Sequence, residues 1–240
     1  MTLDPGLDVR RIAAAARSIL ACPHEVQLVV DGIDDIDDGL LEMQDHGGRP
    51  VLTCPAGSPL AQAAAEGRGA LLTASSGLGA TNSPDRDATV TLSGRLDALG
   101  LEQCTCCDEV RMRVGLNLDF VLLQRCSAPA DAPAETRVRV PLGAFTDPAH
   151  DLNRGFLQRS TEHANLCHQG ELRRAVAAMT QTRLGDVLGV HLADLRADGV
   201  SLDWVDPTGA HRTKLRFGAR ATTAQQLGDL LRAELHAGLC

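Results

Sequence analysis

Short segments in which apolar and polar residues alternate dominate the first 145 residues, and this alternation constrains the fold more than any other feature. In residues 88–96 (ATVTLSGRL) every second residue is apolar or glycine. A period of two places one face of a strand against a core. Comparable segments, bounded by turn-forming residues, predict strands over 25–30, 40–45, 49–54, 70–74, 119–126 and 136–142. Six or seven short strands joined by turns predict a closed antiparallel barrel.

Helical patterns interrupt and follow these strands. Residues 7–21 carry an apolar stripe that ends before Pro23, and residues 58–66 begin with a serine cap and then a proline. Residues 108–114 also fit a helix. After a connection at 146–153, we predict one or two helices over 154–179, a hairpin over 199–217 and an amphipathic helix over 221–237. We therefore predict a barrel domain at 1–148 and an α+β domain at 149–240.

Composition narrows the classes of function. Hydrophobic residues make up 44% of the 240 residues, which suits a folded domain with a real core. Aromatic residues are only 2% and the net charge is −8, so base stacking and phosphate attraction are both disfavoured and we expect no nucleic-acid partner. The sequence has no apolar run of about 18 residues and no signal-peptide pattern at its N-terminus. We expect a soluble cytoplasmic protein without a membrane partner.

The chain contains eight cysteines, which in a cytoplasmic protein are expected to be free thiols. Cys22, Cys54 and Cys126 lie in apolar or strand-like segments, and we predict that they are buried. The cluster CTCC at residues 104–107 has two interpretations, reduced surface thiols or ligands of a metal ion. Its spacing matches no familiar ligand loop, and a suitably spaced second group of cysteines is missing.

The segment His163-Ala164-Asn165-Leu166-Cys167-His168 resembles the His-x-Asn-x-Asp-His signature of the C-terminal domain of HugZ-like haem-binding and haem-degrading proteins. The order that follows is similar to that domain: an Ala-rich helix, a hairpin, a strand ending at Phe217 and a terminal helix. Residues 51–74 and 93–95 resemble the split barrel of pyridoxamine-phosphate oxidases that precedes it. The resemblance implies an α+β protein, with an antiparallel split β-barrel of the FMN-binding type followed by a small α+β domain. Cys167 stands where the family has an aspartate.

The resemblance also implies a homodimer that binds haem and, in the haem-degrading members, oxidises it to release iron. Such proteins ligate the haem iron through a histidine near the C-terminus, and His236 is the positional counterpart here. His163, Asn165 and His168 are further candidates for binding the cofactor. Imidazole suits iron because one nitrogen binds the metal while a hydrogen bond holds the other.

The residues alone leave structural interpretations open beside these roles. His236 also fits an exposed histidine at a helix end, where the helix dipole favours it. His163 and His168 are either a metal-ligand pair or part of a structural network in which Asn165 caps or bridges elements. Their spacing of five favours the network, because ligand pairs on one helix usually lie three or four residues apart.

Three classes of function follow. The first is a haem-binding protein, with or without haem oxygenase activity. The second is a non-catalytic haem-binding or regulatory module, which the lack of a clear distal acid or base favours. The third is an FMN-dependent oxidoreductase of the pyridoxamine-phosphate-oxidase type, which rests on barrel analogy because no basic and aromatic residues match an FMN grip.

Overall fold

A computed structural model describes residues 5–34, 36, 42–79, 85–103, 110–127 and 134–236. It divides the chain into an N-terminal unit, Met1–Gly155, and a C-terminal unit, Phe156–Cys240. None of the helices in these ranges has the length and apolar character needed to cross a membrane.

The N-terminal unit combines one antiparallel sheet with short helices. Its elements are α1 (Pro5–Ala21), β1 (Pro23–Val30), β2 (Glu42–His46), β3 (Arg49–Pro55), α2 (Pro59–Ala65), β4 (Gly69–Ser76), β5 (Thr89–Gln103), β6 (Val110–Ser127), β7 (Ala134–Arg139) and α3 (Leu142–Phe145). The seven strands run in the order β1-β4-β5-β6-β3-β2, with β7 also paired to β6. The sheet curls as a half-barrel, so the predicted antiparallel sheet is confirmed.

The helix predicted over residues 108–114 is wrong where the structure describes it, since Val110 already belongs to β6. Residues 110–114 read Val-Arg-Met-Arg-Val, and this period of two is that of a strand. Met112 pairs with Leu101 on β5 and with Cys54 on β3, so two neighbouring strands fix this segment in the sheet. Residues 108 and 109 lie outside the described ranges.

An aliphatic core holds the sheet to its helices, as the scarcity of aromatic residues requires. Its fully buried members include Ile19 and Leu20 of α1 and Leu52, Leu72 and Leu92 of the sheet. Burying each of these side chains contributes about 1.5–3 kcal/mol. The predicted cap of α2 is present, because the Ser58 hydroxyl accepts the Ala61 N–H at 3.3 Å.

One buried charge ties α1 to three other segments of the N-terminal unit. Arg17 is 1% exposed and donates hydrogen bonds to Asp45 Oδ2 at 3.0 Å, to the Phe145 carbonyl at 3.0 Å and to Asp151 Oδ1 at 3.2 Å. Its guanidinium also lies 5.9 Å from the centre of the Phe145 ring. Burial raises the pKa of the Asp45 carboxyl, and the charge of Arg17 opposes that rise.

The C-terminal unit packs helices on a small sheet. Its elements are α4 (Arg154–Cys167), whose first two residues belong to the N-terminal unit, α5 (Gln169–Thr180), β8 (Gly189–Arg196), β9 (Gly199–Asp206), β10 (Gly209–Arg216) and α6 (Ala224–His236). The antiparallel order is β10-β9-β8. Leu192 and Leu202 of the sheet and Leu172 and Val176 of α5 are buried. The predicted hairpin is confirmed, and the Asp206 carboxylate accepts the Thr208 N–H at 2.8 Å within its turn.

Candidate imidazole sites in the C-terminal unit

The chain bends between α4 and α5 at His168, and this bend brings two predicted site residues together. Helix α4 ends at Cys167, and His168 caps α5 with φ −117° and ψ 24°, outside the helical region. The Nε2 atoms of His163 and His168 lie 3.2 Å apart, with the rings nearly edge-on at 5.1 Å between centres. The spacing rule used above assumes one continuous helix, so it does not apply to this pair.

Glu171 holds the ring of His168 from its other side. His168 Nδ1 and Glu171 Oε2 are 2.5 Å apart, and an ionised carboxylate only accepts hydrogen bonds, so Nδ1 carries the proton. The Nε2 atom of His168 is thereby directed towards His163. Metal-ligating histidines are commonly oriented in this way, with the second nitrogen donating to a carboxylate.

Asn165 joins α4 to β8. Its Nδ2 donates to the Leu192 carbonyl at 2.9 Å, and its Oδ1 accepts the Leu192 N–H at 2.8 Å. Gln169 adds a hydrogen bond from its Nε2 to the Val190 carbonyl at 2.9 Å. Both ends of the Asn165 amide therefore bind backbone, which is the bridging role that the sequence left open beside cofactor binding.

His236 is the last residue of α6, and its side chain lies outside what the structure describes, as do residues 104–107 and the side chain of Cys126. The predicted burial of Cys22 and Cys54 is confirmed. Burial raises the pKa of the Cys54 thiol. Cys167 is exposed.

Within the described ranges, no group of three or more His, Cys, Asp or Glu side chains is placed to hold a metal ion. The His163–His168 pair therefore offers two nitrogen donors, since Glu171 binds the far side of the His168 ring. Among the residues that the structure describes, no third protein ligand joins this pair, so water or a bound molecule would complete the coordination.

The three-stranded sheet carries an open, largely apolar groove, here called the Trp204 cavity, which the sequence patterns did not predict. It has a volume of about 550 Å³ and is lined by Val190, His191, Trp204, Val205, Ala210 and His211 among others. The rings of Trp204 and His211 stack at 5.1 Å between centres with an interplanar angle of 21°. The sequence does indicate the stacked pair, because a hairpin with its turn at residues 206–209 places Trp204 opposite His211.

The two histidines of this cavity differ in what they already bind. His211 Nε2 lies 3.0 Å from Asp206 Oδ1 and 3.1 Å from Thr208 Oγ1. The hydrogen bonds of the Asp206 carboxylate with Thr208, and secondarily its contact with His211, lower the pKa of Asp206 to about 2. His191 is exposed and is paired in the sheet with Asp203, whose pKa is lowered by hydrogen bonds from Arg212. Strand alternation places the exposed His191 ring on the face of the sheet opposite to Trp204 and His211.

The N-terminal unit has a cavity of about 630 Å³ beside α1, lined by both apolar and charged residues. Asp85 lies in its wall, 6% exposed, and accepts hydrogen bonds from Arg125 at 2.8 Å and Arg154 at 3.1 Å. Burial, and secondarily the charge of Arg17, lower the pKa of His150 in the same wall. The Asp85 carboxylate therefore holds the Arg125 and Arg154 guanidinium groups in this wall.

No protein-family model and no curated protein matches the sequence. Solved structures with similar folds include a haem-binding protein from Mycobacterium smegmatis, with 15% identity over 99% of both chains and a TM-score of 0.37. A protein of unknown function from Agrobacterium tumefaciens has 17% identity over 98% of both chains and a TM-score of 0.38. A putative general stress family protein from Xanthomonas campestris pv. campestris has 16% identity over 56% of this chain and 98% of its own, with a TM-score of 0.38. Likenesses this weak assign no ligand to this chain.

Proposed function

We propose that the protein is a cytoplasmic haem-binding protein and that its C-terminal unit holds the haem. The observation that carries the proposal is the open groove of about 550 Å³ on the three-stranded sheet, whose lining residues include Trp204, His211 and, on the alternate face of its strand, His191. Ligand cavities of this size, lined by apolar and aromatic groups with few polar ones, are typical small-molecule sites.

The lining chemistry fits a porphyrin. Val205 and Ala210 offer apolar contact on one face of the sheet, and the Trp204 ring offers a flat aromatic surface on the other face. Arg212, also in the lining, supplies a guanidinium for a carboxylate-bearing ligand, although Asp203 already binds it at 2.5 and 2.6 Å. A bound haem would supply the iron for dioxygen or electron chemistry, while the chain would provide the axial ligand.

For the iron ligand we propose His236, the counterpart implied by the resemblance to HugZ-like proteins. It ends α6 in the same unit as the cavity. His191 is the competing ligand, because it lies in the cavity wall and is exposed.

A haemin titration of the full chain tests the proposal. We expect a saturable, sharp Soret band in the wild type that is lost in His236→Ala and kept in His46→Ala, a matched change of an exposed histidine in the N-terminal unit. Loss in His191→Ala instead would move the ligand to the cavity wall. An unsaturable, featureless response in the wild type would refute haem binding.

A second arm concerns iron release. Reduction of the complex with ascorbate in air leads a haem-degrading oxygenase to lose its Soret band and liberate iron, whereas a haem-binding module keeps its spectrum.

We further propose that the protein is a homodimer that pairs through the outer face of its larger sheet. Val29 of β1 and Leu71 of β4 are directly opposed and are 63% and 43% exposed. Adjacent exposed apolar side chains of this size are typical of a surface that another protein chain covers. Sedimentation should show a dimer that Leu71→Asp converts to a monomer, and a monomeric wild type would refute the pairing.

A further inference from the structure

We propose that His163 and His168 chelate a divalent transition-metal ion of the borderline class, such as Zn²⁺, Ni²⁺ or Cu²⁺, through their two Nε2 atoms. This site is separate from the proposed haem site, since it uses neither His236 nor the Trp204 cavity. Imidazole nitrogen is a preferred ligand of these ions.

The separation of the two donors is the first argument. Metal–nitrogen bonds to imidazole are about 2.0–2.1 Å long, so donors 3.2 Å apart subtend an angle of about 100° at a shared ion. This angle lies between the ideal square-planar and tetrahedral values. An ion therefore fits both nitrogens without a large movement of either ring.

Proton placement is the second argument. Because Glu171 fixes the proton of His168 on Nδ1, its Nε2 presents a lone pair in the neutral ring. Two nitrogen lone pairs 3.2 Å apart would repel each other. In the absence of a metal ion, a proton on His163 Nε2 is therefore shared with His168 Nε2 as a hydrogen bond. When a metal ion binds, that proton leaves His163 Nε2 and one proton is taken up at His163 Nδ1, so the neutral ring presents its Nε2 lone pair to the ion.

Preorganisation is the third argument. Asn165 and Gln169 bind the backbone of β8 on either side of the junction between α4 and α5. This anchoring holds the bend that brings the two rings together, so little conformational entropy is lost when an ion binds. Glu171 adds the orienting carboxylate typical of metal-bound histidine.

The remaining coordination positions belong to water. The side chains of His168 and Glu171 are 44% and 53% exposed, so solvent reaches the pair. Cys167 is exposed one helical turn after His163, yet it forms no group of three with the histidines. The proposal therefore assigns two protein ligands, and Cys167 is not one of them.

Calorimetric titration of the full chain with ZnCl₂ tests the site. The parent carries Cys104→Ser, Cys106→Ser and Cys107→Ser, which removes the thiol cluster as a competing binder. We expect one ion per chain, with affinity at least tenfold lower in His163→Ala and in His168→Ala. Glu171→Gln should weaken binding by about 10–100-fold, as loss of an orienting partner does.

Matched controls separate this result from general damage. His191→Ala and Cys167→Ser should bind zinc within about threefold of the parent, while each variant keeps its circular dichroism spectrum. Zinc should raise the melting temperature of the parent but not of His163→Ala, because a ligand of the native state stabilises it. Equal zinc affinity in the parent, His163→Ala and His168→Ala would overturn the proposal, as would a loss confined to His163→Ala and Cys167→Ser.

The haem and metal proposals fail independently. His236→Ala should lose the Soret band and keep zinc binding, whereas His168→Ala should lose zinc binding and keep the Soret band. If His168→Ala abolished both, the pair would be part of the haem site and the separate metal site would be refuted.

Discussion

Each unit contains a polar cluster that a helix helps to assemble. The two clusters differ in burial and in whether their nitrogen atoms already have fixed partners. Arg17 in the N-terminal unit is 1% exposed, and all three of its guanidinium nitrogens donate to fixed partners. His163 and His168 in the C-terminal unit lie at the surface, with two nitrogens that meet only each other in the structure. Burial requires every donor to be bonded, which leaves none for chemistry, whereas exposure leaves the imidazoles available to a ligand.

The largest expected effect is on the buried cluster. Arg17→Met should lower the free energy of unfolding of the N-terminal unit by about 3–5 kcal/mol, because it leaves Asp45 buried without its counter-charge. Denaturant unfolding followed by circular dichroism measures the change. Asp45→Asn is the matched control and should cost less, since its amide oxygen still accepts the Gly48 N–H. If Arg17→Met lowered the free energy of unfolding by less than Asp45→Asn does, the buried ion pair between Arg17 and Asp45 would be contradicted.

The next effect concerns the bridge beside the imidazole pair. Asn165→Ala should destabilise the C-terminal unit by about 1–3 kcal/mol, because two hydrogen bonds to Leu192 disappear together. Trp204 is the only tryptophan in the sequence, so its fluorescence in urea reports this unit. His163→Ala should shift the same transition by less, since its ring is exposed. Equal destabilisation by the two variants would contradict the assignment of a structural role to Asn165 and a ligand role to His163.

The smallest effect is on a surface turn and depends on pH. Hydrogen bonds with Thr208 and His211 lower the pKa of Asp206 from 3.8 to about 2. A carboxyl whose pKa is lower in the folded state stabilises the fold above its unfolded pKa, and this contribution is lost as the pH falls through the folded value. The stability advantage of the wild type over Asp206→Asn should therefore shrink between pH 3.8 and about 2. An advantage that stays constant across this range in thermal melts would contradict the assignment.

Local patterns predicted much of the fold. Alternation, turn residues and caps located β4, the Ser58 cap of α2 and the hairpin around Asp206. The helix prediction at residues 110–114 is wrong because five residues are too few to distinguish a helix from a strand by their pattern. Pairing with β3 and β5 makes this segment a strand. The Trp204 cavity was missed for a related reason, since it arises from the registers of three strands.

The sequence by itself determined that this chain forms short antiparallel strands with an aliphatic core and a terminal α+β region, because strand alternation, turns and caps act over a few residues. It also marked His163, Asn165 and His168 as one segment. Only the tertiary structure decided their roles, since one non-helical residue at the start of α5 turns His168 back towards His163 while Asn165 binds β8. The contacts of these side chains depend on the backbone conformation of His168 and on β8, a strand more than twenty residues away. The spacing of residues along the segment specifies neither of them.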